Sequence, residues 1–209
     1  MTKLKPRVKV KVCGMTSLED SLMAVGFGAD AVGFIFYKKS PRFVTEKIVK
    51  GIALPPFVSK VGVFVNETSD KINKIADACR LDTIQLHGDE SPAFCRKIRA
   101  RVVKAIRLRD AKSLELMPRY DVDGFLLDSY VKDLHGGTGV TCDWNLVRKA
   151  GKFGPVILAG GLSPANIDEA ITEVQPYGVD VCSGVEKSPG KKDRSKVRNF
   201  IVSAHSALR

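Results

Sequence analysis

Short apolar runs, rich in β-branched residues, recur along the chain, and between them the apolar positions switch to a spacing of three and four. The runs predict eight strands, at 8–12, 31–36, 60–65, 83–86, 102–106, 124–127, 156–158 and 179–182. Most are continuously apolar, as parallel strands covered on both faces should be. The intervening segments carry helical stripes: Ile72, Ile75, Ala76 and Cys79, then Ile167, Ala170, Ile171 and Val174, then Val197, Phe200, Ile201 and Ala204. Ser91-Pro92 and Ser163-Pro164 each put a capping residue before a proline at a first helical position, and Asp143 is placed to cap a helix from Trp144. Eight strand and helix pairs in alternation predict a (β/α)8 TIM barrel, with residues 1–209 forming a single domain. The rival is an open doubly wound sheet, but no dinucleotide-type glycine pattern follows the first strand.

Composition narrows the classes. Hydrophobic residues make up 44% and charged residues 27% of 209, a globular mixture able to bury a continuous core, which argues against disorder. No apolar stretch is long enough for a membrane span, and the first residues lack the apolar segment of a signal peptide, so a cytoplasmic protein is expected. The five cysteines show neither metal-type spacing nor an even framework, and are expected to be reduced. Three histidines and no His/Cys/carboxylate cluster predict no metal. A net charge of +11 fits either nucleic-acid binding or attraction of a small polyanion. The one basic cluster, 187–194, lacks interleaved aromatics and reads as a solvated face.

Two groups able to move protons end apolar runs, as catalytic residues of a barrel do: Cys13 follows the first strand and Asp128 the sixth. Strand alternation turns Lys9, Lys11 and Cys13 towards the axis, where a lysine below the thiol would favour the thiolate. Asp128 follows Phe125-Leu126-Leu127, and apolar surroundings would raise its pKa and suit it to donate a proton. Glycines follow the seventh strand (Gly160, Gly161), and Ser183 and Gly184 follow the eighth, the places where such barrels commonly hold phosphate. Arg42 is a candidate partner for a carboxylate, and Gln85 and His87 alternate so that both face the mouth. A long glycine-containing connection, 129–142, has the character of a lid.

Taken together, Lys11-Val12-Cys13-Gly14-Met15-Thr16, Ser40-Pro41-Arg42, Gln85-Leu86-His87-Gly88, Leu127-Asp128-Ser129, Gly136-Gly137-Thr138-Gly139, Leu158-Ala159-Gly160-Gly161-Leu162 and Ser183-Gly184-Val185-Glu186 resemble, in order, the motifs of phosphoribosylanthranilate isomerases of tryptophan biosynthesis. The resemblance implies a cofactor-free Amadori rearrangement, with Asp128 as general acid, Cys13 as general base, Arg42 on the anthranilate carboxylate and the two late loops on the phosphate. It also implies a phosphosugar as partner rather than nucleic acid or membrane; the chain is expected to be a monomer or homodimer. Cys182 departs from the pattern, standing where a serine is expected, and Cys142 where an aromatic residue is common. The alternatives are another phosphosugar barrel, such as indoleglycerol-phosphate synthase or a pentose-phosphate epimerase, and a basic nucleic-acid-binding protein.

Overall fold

In the computed structural model, which describes residues 7–108, 110–128 and 144–207, the eight apolar runs form one closed parallel barrel in chain order. The strands are β1 (Lys9–Val12), β2 (Ala31–Ile35), β3 (Ser59–Phe64), β4 (Thr83–Leu86), β5 (Arg101–Arg107), β6 (Gly124–Asp128), β7 (Val156–Ala159) and β8 (Gly178–Val181). Helices α1 (Leu18–Gly26), α2 (Glu46–Lys50), α3 (Ser69–Cys79), α4 (Pro92–Cys95), α5 (Trp144–Ala150), α6 (Ile167–Val174) and α7 (Arg194–Ser206) lie outside. None is long and apolar enough to cross a membrane among the described residues.

Two apolar shells follow from strand alternation. Outward side chains such as Val10, Val12, Phe34 and Leu127 join the helix faces in the main core, while Ala105, Leu126 and Ala159 pack with Val103 and Ile157 inside the barrel. Three aspartates clamp the lower rim. Asp30, Asp82 and Asp123 sit just before β2, β4 and β6, and their carboxylates accept the N–H groups of Val10, Lys60 and Val102 at 2.9, 2.7 and 2.8 Å. Each backbone N–H returns a bond to the same residue's carbonyl, so three strand pairs are locked in register where they begin.

Three expectations are corrected. Among the described residues no α-helix joins β5 to β6: two 3-10 turns, Ala111–Leu114 and Met117–Arg119, lie there. Pro118 prevents propagation there, because it lacks an N–H and crowds the preceding turn. The Ser163-Pro164 signal starts a turn and not a helix; Asn166 Oδ1 accepts the Ser163 N–H at 2.8 Å, and α6 begins only at Ile167. Ser91, by contrast, caps α4 as expected, accepting the Phe94 N–H at 3.2 Å. Beyond β8 lies an unforeseen hairpin, β9 (Glu186–Ser188) against β10 (Lys191–Lys192), which folds part of the 187–194 basic cluster inward. The predicted cap Asp143, the connection 129–142 and Cys142 lie outside the described residues.

Candidate active site

The seam between β1 and β8 carries the candidate thiol. Register pairs Lys11 with Asp180, and both side chains turn into the barrel, where Lys11 Nζ meets Asp180 Oδ1 at 2.8 Å with less than a tenth of either exposed. One step up the same face is Cys13, whose N–H donates to the Val181 carbonyl at 2.8 Å. Its sulfur fits a notch: a Cβ on Gly33 of β2 would lie 2.7 Å from it. Gly14 is constrained twice, by φ +74° and by Arg42 Cδ and Cys182 Sγ, at 2.7 and 2.8 Å from where its Cβ would be.

This setting favours the thiolate. The hydrogen bond from the Cys182 thiol, helped by the Lys11 and Lys192 charges, holds Cys13 well below the ordinary thiol range although burial opposes it. Cys182 moves the opposite way, driven up by that same bond and by burial. Burial would lower Lys11, but Asp180 and Cys13 outweigh it and keep the ammonium charged. Burial pushes the Asp180 carboxyl up to about 7 against the pull of Lys11.

Across the mouth, Asp128 is the last residue of β6, paired in register with Arg107 and Ala159. It does not sit among the apolar walls expected from Phe125-Leu126-Leu127: 34% of its side chain is exposed, and its Oδ2 faces His87 Nε2 at 3.3 Å. Gln85 Nε2 lies 2.8 Å from His87 Nδ1. An amide nitrogen can only donate, so Nδ1 accepts and the neutral ring carries its proton on Nε2, the nitrogen nearer Asp128. Gln85, His87 and Asp128 thus form one chain along the rim. Beneath it, buried Lys104 donates to the carbonyls of Leu86 and Gly88 at 3.1 and 2.7 Å and to Glu90 at 2.8 Å, fixing the backbone on both sides of His87.

Arg42, in the loop after β2, is oriented by a carboxylate that the sequence did not pair with it. Its Nε donates to Glu186 Oε1 at 2.8 Å and its Nη2 to Oε2 at 2.6 Å, leaving Nη1 unpaired among the described residues. Glu186 is also held by Lys192 Nζ at 2.9 Å and by the Gly190 N–H. Burial raises the Glu186 carboxyl, but Arg42 and Lys192 more than reverse this and keep it ionised. The late loops meet one another. Gly160 and Gly161 take φ values of +84° and +64° after β7, and a Cβ on Gly184 would fall 2.0 Å from the Leu162 carbonyl oxygen. Only glycine lets the turn at Ser183–Val185 close on the β7 loop.

A family model described as N-(5'phosphoribosyl)anthranilate (PRA) isomerase matches residues 10–203. The chain belongs to this isomerase family. The N-(5'-phosphoribosyl)anthranilate isomerase of Geotalea uraniireducens is 55% identical over 198 residues, covering 94% of this chain and 98% of that protein. Among solved structures, the phosphoribosylanthranilate isomerase of Thermotoga maritima is 44% identical with a TM-score of 0.88, covering 94% of this chain and 98% of its own. A further isomerase structure, solved with reduced 1-(o-carboxyphenylamino)-1-deoxyribulose 5-phosphate, is 43% identical with a TM-score of 0.84 over the same shares of the two chains. The T. maritima protein is also described as dimeric.

Within this isomerase fold the structure gathers Cys13, Arg42 and Cys182 on one side of the mouth and Gln85, His87 and Asp128 along another part of the rim. Reading the sequence missed Asp180, Glu186 and Lys192. Asp180 had a usable signal, since it stands two residues before Cys182 on a strand whose alternation turns both inward. Lys192 had none: in the sequence it is one more cation of a basic run, yet its side chain is fully buried. The 187–194 cluster is therefore not wholly a solvated face. Lys11, Lys60, Lys104 and Lys192 are all buried, so part of the surplus charge lies inside the molecule.

Proposed function

We propose that this isomerase converts N-(5′-phosphoribosyl)anthranilate to 1-(o-carboxyphenylamino)-1-deoxyribulose 5-phosphate with Asp128 as general acid and Cys13 as general base. The observation that carries the assignment of roles is the thiol at the end of β1, surrounded by Lys11, Lys192 and Arg42, on a rim that also bears a carboxyl at the end of β6. Asp128 delivers a proton to the ribose ring oxygen as the C1′–O bond breaks, and the anilinic nitrogen lone pair forms the Schiff base. The Cys13 thiolate removes the C2′ proton, and the released electron pair neutralises the iminium to give an enolamine. Proton transfer from the C2′ hydroxyl and to C1′ then yields the ketone. Gln85 and His87 orient Asp128, and the N–H groups around Gly160, Gly161, Ser183 and Gly184 take the phosphate.

Arg42 binds the anthranilate carboxylate through the guanidinium edge that Glu186 leaves open. The test is turnover of the purified protein on the phosphoribosyl amine, together with rescue of a tryptophan auxotroph lacking this step. Arg42→Ala is expected to raise KM at least about tenfold with a smaller change in kcat, as loss of a ground-state contact does. No turnover and no rescue would overturn the activity; an unchanged KM would remove Arg42 from the carboxylate site.

Of the two quaternary alternatives we propose the homodimer. Phe57, fully exposed at φ +67°, stands at a cavity of about 550 Å³ by the strand N-termini, away from the catalytic rim. A bulky aromatic at full exposure, beside an opening whose wall mixes apolar side chains with Lys9, Asp82 and Arg101, suits a second copy of the chain. A sedimentation mass equal to the single-chain 22.8 kDa would refute this.

A further inference from the structure

We propose that Cys13 and Cys182 form a reversible oxidation site, at which a peroxide links the two sulfurs and switches the barrel off. The assignment of catalytic inactivation rests on Cys13 being the base; the chemistry of the linkage does not.

The argument begins with register. β1 and β8 pair Lys11 with Asp180 and Val12 with Val181, and the Cys13 N–H extends the ladder to the Val181 carbonyl, so the next residue pair is Cys13 beside Cys182. Positions 11 and 180 face the interior, and by alternation so do 13 and 182. Neighbouring strands run about 4.8 Å apart. That lies within the Cα separation of roughly 4.4–6.8 Å at which a disulfide closes without moving the backbone far. Both sulfurs crowd the glycines of this seam: Cys182 Sγ would lie 2.8 Å from a Cβ on Gly14, the residue next to Cys13, and each thiol shifts the other's titration.

Charge supplies the reactivity. Lys11 and Lys192 act on Cys13, and Lys192 and Arg42 on Cys182, whose sulfur lies 4.0 Å from Lys192 Nζ. Such cations favour the thiolate, the species that attacks a peroxide. The other described cysteines lack this setting. Cys79 and Cys95 lie buried on helix faces, where burial drives their thiols up.

The chemistry balances in two steps. The Cys13 thiolate attacks hydrogen peroxide, the O–O bond breaks, and the products are a sulfenic acid and hydroxide. The Cys182 sulfur then attacks the sulfenic sulfur; the S–O bond breaks, and the thiol proton leaves with the hydroxyl as water. Two thiols are oxidised, and one peroxide is reduced to two waters. Once Cys13 is a neutral sulfenic acid, the negative neighbour that held up the Cys182 proton is gone, while Lys192 and Arg42 remain to favour its release. A dithiol reverses the linkage. A serine at 182 would have no sulfur to offer, so the site depends on the cysteine this chain carries there.

The experiment treats the purified full-length protein with hydrogen peroxide, then reads intact mass, tryptic peptides and turnover, each rate relative to the same protein untreated. The expected result is a loss of two hydrogens in mass and a cross-link between peptides 12–38 and 153–187. Turnover is expected to fall at least about tenfold and to recover within about twofold on adding dithiothreitol. Cys182→Ser should instead gain oxygen in mass and, under excess peroxide, lose activity that dithiothreitol does not restore, because an unresolved sulfenic acid proceeds to sulfinic acid. A cross-link from Cys13 to Cys142, or two alkylatable thiols remaining at 13 and 182 after treatment, would overturn the proposal. The linked peptide appearing in a protein without isomerase turnover would sink the functional assignment and leave the oxidation site standing.

Discussion

Cys13→Ala is expected to lower kcat by at least about 10², equivalent to about 2.7 kcal/mol of transition-state stabilisation, with KM within a few fold of wild type. In the proposed assignment substrate is held by Arg42 and the two late loops, so removing the proposed base should affect the chemical step rather than affinity. The variant should fold, because the sulfur fills a notch at Gly33 on the rim and lies outside the main apolar core. The pH profile adds a second test. A base works only when deprotonated, so kcat/KM rises with pH through the Cys13 pKa. That pKa lies below the ordinary thiol range, and the rise must therefore be complete at lower pH than an unperturbed cysteine would allow. Lys11→Met removes one charge that stabilises the thiolate and should move this limb to higher pH. Turnover of the alanine variant within threefold of wild type would remove the thiol from the mechanism.

The limits of the sequence as a guide follow from where each signal resides. Alternation is local, so Val10 and Val12 outward and Lys11 and Cys13 inward were legible from five residues, as were the eight strands and the Ser91 cap. Local signals also misled. Ser163-Pro164 has the chemistry of a helix start, but Asn166 takes the Ser163 N–H and delays the helix, a choice between two adjacent polar side chains that composition does not decide. Pro118 was a visible obstacle in the segment read as a helix between β5 and β6. The contacts that orient Arg42 were not readable. Glu186 lies 144 residues away, and it reaches Arg42 only because the barrel closes and the β9–β10 hairpin folds Lys192 against it. Asp128 shows the same limit from another side: its apolar predecessors face the cores, while the carboxyl projects past them toward His87.

That projection shapes the second large effect. Asp128→Asn should lower kcat by at least about 10² with KM little changed, because the amide keeps the size of the carboxyl and an oxygen beside His87 but has no acidic proton to deliver. Ring opening needs that proton, since the ribose oxygen otherwise departs as an alkoxide. Alanine at 128 would also remove the partner of His87 and so mix loss of acid with loss of rim structure; asparagine isolates the proton. Binding of the reduced product analogue, 1-(o-carboxyphenylamino)-1-deoxyribulose 5-phosphate in its reduced form, offers a control that does not depend on turnover. The variant should bind it within about threefold of wild type, because the phosphate loops and Arg42 are untouched. His87 is the competing donor, because its Nε2 lies 3.3 Å from the Asp128 carboxyl on the same part of the rim. If Asp128→Asn keeps its turnover while His87→Ala loses it, the acid role belongs to the imidazole and Asp128 becomes its positioning partner.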